Sequence, residues 1–138
     1  MRIMAIDYGD AHTGIAISDL LGFGAGVAET IDSRKQDVVV ERIKGYIKDY
    51  GVEEIVLGHP KNMDGTLGPR AEKSQELCQR LKEETGLPVT LWDERRTTVD
   101  AHRILFESGK NGKKRKKVVD AVAATLILEG FLTYKKNH

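Results

Sequence analysis

The sequence predicts an α/β fold with a five-stranded mixed sheet, in which an antiparallel meander is followed by parallel strands and helices cover both faces. Two observations predict it. The chain opens with three short apolar runs that are separated by glycine-containing turns. After them, further apolar runs alternate with segments whose apolar residues recur at helical spacing. With 138 residues, of which 40% are hydrophobic, we expect a single domain over residues 1–138.

The opening meander is predicted from its first strand. Residues 2–7 contain the apolar run Ile3–Ile6 and end abruptly at Asp7, which is typical of a buried strand. The second strand is expected over residues 14–19 and the third over residues 25–31. The turn between the first two strands is too short to hold a helix. A plain Rossmann sheet would need a helix between these strands, so that fold is not expected.

The rest of the chain alternates between helices and strands. Asp32 or Ser33 could cap the first helix, and Gly51 is expected to end it. The apolar positions of this helix are Val38, Val39, Ile43, Tyr46 and Ile47. The later elements are expected as a strand over 54–58, a helix over 69–85 ended by Gly86, a strand over 89–92, a helix from Thr97 or Thr98, a basic loop, and a helix over 118–134. This order of elements is ribonuclease-H-like.

Positive charge is concentrated in residues 110–117, which contain six lysine and arginine residues, although the net charge of the chain is only +1. Such a cluster is typical of a protein that binds a polyanion such as nucleic acid, and the alternative is a solvated loop and helix start. Arg70 lies in the first turn of a predicted helix, where the helix dipole disfavours a cation, so an anionic partner is expected there. The candidate substrate-binding residues are Asn62, Arg70, Arg95, Lys113, Lys114 and Lys116.

The single cysteine, Cys78, excludes an internal disulfide framework and is typical of a reducing compartment. We expect it to be a small packed residue and not a nucleophile. The chain contains no run of about 20 apolar residues, and its N-terminus lacks the pattern of a signal peptide. A cytoplasmic location and no membrane span are therefore expected.

Three acidic residues are the candidate catalytic and metal-binding groups. Asp7 and Glu94 each follow an apolar strand directly, and parallel strands would bring both to the same edge of the sheet. Asp120 lies early in the last predicted helix, beside Ala123 and Ala124, whose small side chains allow a close approach to the sheet. The alternative is that Asp120 only stabilises the start of that helix.

Carboxylate oxygens are ligands that suit Mg²⁺ or Mn²⁺. Two such ions about 4 Å apart can activate a water and stabilise the leaving oxygen of a phosphodiester. The sequence therefore predicts a metal-dependent nuclease that uses Asp7, Glu94 and Asp120. His12, in the turn after the first strand, could contact a phosphate when it is protonated, and the alternative is a solvent-exposed turn histidine.

Five short motifs follow one another along nearly the whole chain. They are Asp7-Tyr-Gly9 with Gly14-Ile-Ala16, Gly58-His-Pro-Lys-Asn-Met-Asp-Gly65, Gly68-Pro-Arg-Ala71, Asp93-Glu-Arg95 followed by Thr97-Thr98, and Asp120-Ala-Val-Ala-Ala124. On these motifs the sequence resembles the YqgF/RuvX family, which is described as Holliday-junction resolvases or pre-16S rRNA nucleases. The resemblance implies a ribonuclease-H-like fold and a role in maturing the 5′ end of small-subunit ribosomal RNA. It places the acidic positions of the family on Asp7, Glu94 and Asp120.

Other functions stay open at this point. The chain could resolve Holliday junctions in branched DNA, as a monomer or a homodimer, or it could bind nucleic acid without catalysis. The glycine-bounded turn after Asp7 also resembles the first phosphate loop of actin- and hexokinase-like ATPases. Those enzymes need two such domains around the nucleotide, and this chain has room for one.

Overall fold

The computed structural model describes residues 2–21, 24–59, 68–93 and 112–137, and for residues 112–120 and 137 it describes the backbone alone. The described elements are β1 (Arg2–Asp7), β2 (His12–Ser18), β3 (Ala25–Asp32), α1 (Gln36–Tyr50), β4 (Val52–His59), α2 (Pro69–Thr85), β5 (Val89–Asp93) and α3 (Gly112–Asn137). The helix that was predicted to begin at Thr97 or Thr98 lies outside the described residues.

The five strands form one sheet in the order β3-β2-β1-β4-β5. The first three strands pair in antiparallel fashion, whereas β4 is parallel to both β1 and β5. This arrangement confirms the predicted meander followed by parallel strands. β1 lies at the centre of the sheet, and the residue at its carboxyl end, Asp7, is paired with Gly14 of β2.

Side chains of β1 alternate between the two faces of the sheet, as the period of a strand requires. Met4 and Ile6 belong to the hydrophobic cluster that packs against α1 and α2. Ile3 and Ala5 belong to a second cluster that packs against α3. Helices therefore cover both faces of the sheet, as predicted. Asp7 follows Ile3 and Ala5 at a spacing of two residues, so it belongs to the face covered by α3.

The start of α1 differs from its prediction. The N-cap residue is Lys35, so the predicted cap by Asp32 or Ser33 is wrong. Ser33 forms a local turn instead, because its Oγ accepts a hydrogen bond from the amide of Lys35 at 3.1 Å. As a consequence of the helix phase, Val38 is 41% exposed, and Val40 takes a core position.

Glycine ends both α1 and α2, as predicted. Gly51 and Gly86 adopt φ angles of 67° and 71°, which lie in the left-handed region that L side chains rarely adopt. The amide of each glycine donates to the carbonyl four residues earlier, which satisfies an orphan acceptor of the last turn.

The long C-terminal helix starts earlier than predicted. α3 begins at Gly112, so the segment that contains Lys113, Lys114 and Lys116 is helical, and the predicted basic loop before residue 118 is wrong from that glycine onward. Lysine and arginine are good helix formers, so a run of them does not break a helix. Asp120 therefore lies in the third turn of α3, too far from the N-terminus for the helix dipole to account for it.

The C-terminal half of α3 packs firmly against the sheet. Trp92 of β5 packs against the second cluster and makes edge-on contacts with Phe131 and Tyr134, with ring centroids 5.8 Å and 5.9 Å apart. Lys135 forms an ion pair with Glu54 of β4. In the described part of the chain, no helix is both long and apolar enough to cross a membrane.

Cys78 is buried in the cluster beneath α2, as predicted. Burial raises the pKa of its thiol, since the thiolate is disfavoured away from water, and the neighbouring Lys82 offsets this only in part. The thiol is therefore held in its unreactive form at neutral pH.

Candidate active site

The predicted site residues differ in how much of them the structure describes. Asp7 and Arg70 are described with their side chains. The backbone alone is described for Asp120, Lys113, Lys114 and Lys116, all of which lie in α3. Asn62, Glu94 and Arg95 lie outside the described residues.

Asp7 is an almost buried carboxylate at the carboxyl end of the central strand. It is 7% exposed and lies between β2 and β4. The guanidinium of Arg70 lies close to it, with Nη2 3.9 Å from Oδ1 of Asp7. The same Nη2 donates a hydrogen bond to the carbonyl oxygen of Tyr8 at 3.3 Å. Because a carboxylate is costly to bury alone, a nearby cation helps to keep Asp7 in this position.

β5, the strand that precedes Glu94 in the chain, ends at the same edge of the sheet as β1. β1 and β5 run in the same direction, since both are parallel to β4, and the last residue of β5 is Asp93. Glu94 is the next residue in the chain. β4 separates β5 from β1, so the two strands lie about 10 Å apart at strand spacing. A side chain at the end of β5 must therefore span β4 to reach Asp7.

α3 brings the third acidic position to the same face of the sheet. Position 120 precedes Ala123 and Ala124 by three and four residues, which is the spacing of one helix face. Both alanines are buried, and Ala124 packs with Ala5 and Ala16 of the sheet. Among the residues with described side chains, no three His, Cys, Asp or Glu residues come together as a metal site. The convergence of Asp7, Glu94 and Asp120 stays a prediction.

A cleft of about 280 Å³ opens beside Tyr8 and Arg70, between the start of α1 and the first turns of α2. Sequence reasoning predicted Arg70 there but missed the other two cations, Arg34 and Lys73. Lys73 follows Arg70 by three residues, a spacing that places both on one face of α2 and could have revealed it. The residues that line the cleft are Tyr8, Gly9, Asp10, Arg34, Gln36, Arg70, Lys73 and Glu76.

The floor of this cleft is a tight turn between β1 and β2. A Cβ atom at Gly9 would overlap the backbone oxygen of His12, so the turn requires glycine for steric reasons. The side chain of His12 points elsewhere, because its Nδ1 lies 2.7 Å from Oδ1 of Asp32 on the neighbouring strand. His12 is therefore paired across the β2–β3 hairpin and is not a cleft residue.

His59 ends β4 and is 8% exposed. Its Nε2 lies 3.3 Å from Nε2 of Gln75 on α2. His59 is not among the residues that line the cleft between α1 and α2, and its contact with Gln75 joins β4 to α2.

Comparison with known proteins assigns the chain to a family. A family model described as "RuvX: Holliday junction resolvase" matches residues 1–134. A relative from Halothermothrix orenii is 51% identical over 137 residues, covering 99% of this chain and 98% of its own length. The chain belongs to the RuvX family. A second RuvX-family relative, from Geobacillus kaustophilus, is 46% identical over 138 residues and is covered over 100% of its length. Both relatives carry the name "Putative pre-16S rRNA nuclease".

Solved structures confirm the predicted ribonuclease-H-like fold for this member of the RuvX family. Thermus thermophilus RuvC in complex with a Holliday junction substrate superposes with a TM-score of 0.65 at 14% identity, covering 99% of this chain and 96% of RuvC. The fowlpox virus resolvase in complex with Holliday junction DNA gives a TM-score of 0.62 at 12% identity, with 98% and 99% coverage. At these identities the likeness concerns the fold alone.

Proposed function

We propose that this RuvX-family protein is a divalent-metal-dependent nuclease that hydrolyses a phosphodiester bond of precursor 16S rRNA, in the maturation of its 5′ end. The observation that carries the proposal is the almost buried carboxylate of Asp7 at the carboxyl end of the central strand. In open α/β sheets this edge is where ligands bind. The names of the curated relatives support the choice of substrate, and ribosomal RNA processing implies a cytoplasmic location.

Asp7, Glu94 and Asp120 are the proposed metal ligands. Their donors are all carboxylate oxygens, which are the hard ligands that Mg²⁺ and Mn²⁺ prefer. Such an ion, when bound, lowers the pKa of water and neutralises charge on a phosphoryl oxygen. Asp7 would have the central position in this set, because it ends the central strand, Glu94 follows β5 in the chain and Asp120 belongs to α3.

Basic and polar side chains around the acids would hold the substrate. Arg70 contacts both Asp7 and the carbonyl of Tyr8, so its guanidinium is placed at the entrance to the site. Asn62 and Arg95 remain proposed substrate contacts. The basic segment at the start of α3, which contains Lys113, Lys114 and Lys116, would bind phosphates along the nucleic-acid backbone.

A second candidate is the resolution of Holliday junctions in DNA. The description of the matching family model favours it. A junction resolvase cuts two strands related by symmetry, so this function would call for a homodimer, whereas cleavage of one RNA strand would not.

A side-by-side cleavage assay tests the proposal. The purified protein is incubated with a precursor 16S rRNA fragment that carries its 5′ extension and with a four-way DNA junction, in Mg²⁺, in Mn²⁺ or in EDTA. We expect cleavage of the RNA at the mature 5′ end, only in the presence of the metal ions. Preferential cleavage of the junction would instead support the second candidate, and binding without cleavage of either substrate would support a non-catalytic module.

The Asp7→Asn variant links the activity to the proposed site. We expect cleavage to fall by at least about a hundredfold, because the central ligand of the metal set is removed, while the circular dichroism spectrum stays that of the wild type. Asp49→Asn, which removes one exposed carboxylate from α1, is the matched control and should cleave normally. Full activity in Asp7→Asn would refute the proposed mechanism.

A further inference from the structure

We propose that the cleft between α1 and α2 binds one backbone phosphate of the nucleic-acid strand, next to the phosphate that is cut, and that Arg34 and Lys73 are the positioning residues. The inference rests on the proposed function, because it takes nucleic acid as the substrate. It adds a phosphate-binding site on the side of β1 opposite to α3.

The cations of the cleft are available to a ligand. Arg34 is exposed and makes no hydrogen bond or ion pair within the part of the chain that the structure describes. Lys73 contacts Asp10 at 3.4 Å, but both side chains are more than half exposed, so this pair is weak and a phosphate can compete for the lysine. Arginine offers planar paired donors that match phosphate oxygens.

A neutral donor is held at the same cleft. Arg80 is fixed by Asp37 at 2.7 Å and donates to Oε1 of Gln36 at 3.2 Å. This bond turns Nε2 of Gln36, which is a donor only, toward the hydroxyl of Tyr8 at 3.5 Å. The wall formed by α1 therefore presents a hydrogen-bond donor to the cleft and not an acceptor.

Both helices add positive potential at the cleft. Gln36 is the first residue of α1, and Arg70 is the second of α2, so the cleft is bordered by two helix N-termini. The N-cap residues are Lys35 and Gly68, neither of which has a side chain that can accept from the orphan amides. These termini strengthen the attraction for an anion that the side chains already create.

The charge of the lining selects a single phosphodiester. Arg34, Arg70 and Lys73 contribute three positive charges, and Asp10 and Glu76 contribute two negative charges, which leaves +1. A backbone phosphate carries one negative charge, whereas the triphosphate of a nucleotide carries three to four and would be repelled by the two carboxylates. An internal phosphate of a polynucleotide therefore fits the cleft better than ATP does.

Arg70 connects the cleft to the candidate catalytic carboxylate. Its side chain lines the cleft, and its Nη2 is 3.9 Å from Asp7. Because Arg70 belongs to both the cleft and the surroundings of Asp7, a phosphate held by Arg34 and Lys73 would lie close to the linkage that is cut. The cleft would set the register of the strand over Asp7.

The proposal is tested by binding in EDTA, where metal-dependent cleavage cannot interfere. The probe is a fluorescein-labelled single-stranded RNA that spans the mature 5′ end of 16S rRNA, and the proteins are the wild type, Arg34→Gln, Lys73→Gln and the double variant. We expect the Kd to rise about three- to tenfold for each single variant. The slope of log K against log salt should fall by about 0.7 for each phosphate that a variant no longer neutralises.

Lys48→Gln is the matched control, because it removes one positive charge from the last turn of α1, about 20 Å from the cleft along a helix of 15 residues. Its Kd and salt slope should equal those of the wild type, and Arg34→Lys should recover part of the affinity. An unchanged Kd and slope in the folded double variant, with melting temperature as the check on folding, would overturn the proposal.

A methylphosphonate scan locates the phosphate. Each linkage of the RNA probe is made neutral in turn, and we expect one position near the cut to weaken binding by the wild type but not by the double variant. Millimolar ATP is the competing ligand. If ATP binding, and not RNA binding, depends on Arg34 and Lys73, the cleft is a nucleotide site and the proposal is wrong. Because no step requires cleavage, a failure of the nuclease proposal would appear in the cleavage assay alone.

Discussion

The turn from Asp7 to His12 determines how the candidate carboxylate meets its neighbours. Asp7 ends a buried strand, Tyr8 presents its carbonyl to Arg70, and Gly9 allows the backbone to fold back onto His12. The apolar run that ends at Asp7 predicted the first of these features. The contact with Arg70 could not be predicted, because three strands and a helix lie between the two residues in the chain.

Gly9→Ala tests the steric requirement of this turn. The added methyl group would overlap the backbone oxygen of His12, so the turn must shift and carry Asp7 and Tyr8 with it. We expect the free energy of unfolding to fall by about 1–3 kcal/mol, as in other overpacked sites. A displacement of about 1 Å is expected to slow cleavage by roughly a hundredfold. Urea denaturation and single-turnover cleavage measure the two effects.

Gly45→Ala is the control for this substitution. Gly45 lies inside α1 with open space where its Cβ would be, so alanine should raise stability by about 0.5–1 kcal/mol through its helix propensity. Cleavage should not change. If Gly9→Ala behaves like Gly45→Ala in both assays, the turn has no steric requirement at this position.

At the level of elements, α3 combines a basic start with an apolar second half. Its buried residues Ile127, Leu128 and Phe131 pack on the sheet, while its first turns contain the lysine-rich segment. A helix fixes the spacing of the backbone positions that bear these charges better than a loop would. The lysine-rich segment, which was predicted to be a loop, is therefore a candidate helical surface for binding the phosphates of a nucleic-acid backbone.

Neutralising Lys113, Lys114 and Lys116 to glutamine tests this surface. We expect weaker RNA binding and a salt slope that is smaller by about 2, since each phosphate of a single strand that a lysine neutralises contributes roughly 0.7. Fluorescence anisotropy at several salt concentrations gives both values. The control removes the same charge from the ends of the three helices by changing Lys48, Lys82 and Lys136. An equal reduction of the slope in the control would show that the effect is one of net charge.

α1 and α2 are joined by an ion-pair network around Glu84. Its carboxylate contacts Lys44 at 2.7 Å and Arg80 at 2.5 Å. Two hydrogen bonds lower the pKa of Glu84. The one from Lys44 contributes most, and the one from Arg80 contributes next. A carboxyl group whose pKa is lowered by folding stabilises the protein above its unfolded pKa, and this contribution is lost as the pH falls through the folded pKa.

Glu84→Gln should therefore be less stable than the wild type at neutral pH. The difference should persist down to about pH 5 and shrink as the pH falls below about 4.3, the ordinary pKa of a glutamate. Thermal unfolding between pH 7 and pH 3 measures it. Glu53→Gln, at an exposed position of β4, should follow the pH dependence of the wild type. A stability difference that is constant over this pH range would contradict the assigned role of Glu84.

At the scale of the whole molecule, stability and the candidate chemistry have separate origins. Two apolar clusters on opposite faces of the sheet hold the described fold together. Asp7 lies at the carboxyl end of the central strand and belongs to neither cluster. The fold can therefore tolerate changes at the site that abolish the proposed reaction.

Removal of divalent metal tests this separation. EDTA should abolish cleavage but lower the melting temperature by only a few degrees, because an ion present at about five times its Kd stabilises the folded state by about 1 kcal/mol. Differential scanning calorimetry with and without Mg²⁺ measures the shift, and Asp7→Asn should show a smaller one. Unfolding of the wild type at room temperature in EDTA would mean that the metal is structural.

The elements that the sequence predicted best are those defined by local signals. The helix expected over 69–85 is found at Pro69–Thr85, and Gly51 and Gly86 end their helices in the left-handed conformation. The start of α1 and the start of α3 were predicted wrongly, because side-chain polarity near Ser33 and Lys113 is compatible with either a helix or a turn. Packing of the following apolar face determines which one forms.

The order of strands and helices, and the position of Asp7 at the end of a buried strand, follow from the hydrophobic pattern of the chain, which acts over a few residues. Tertiary structure alone decided that Arg70 lies beside Asp7 and that Arg34 and Lys73 line one cleft. These side chains come from distant parts of the chain, and their distances depend on how the crossover helices pack on the sheet. Local periodicity carries no information on that packing.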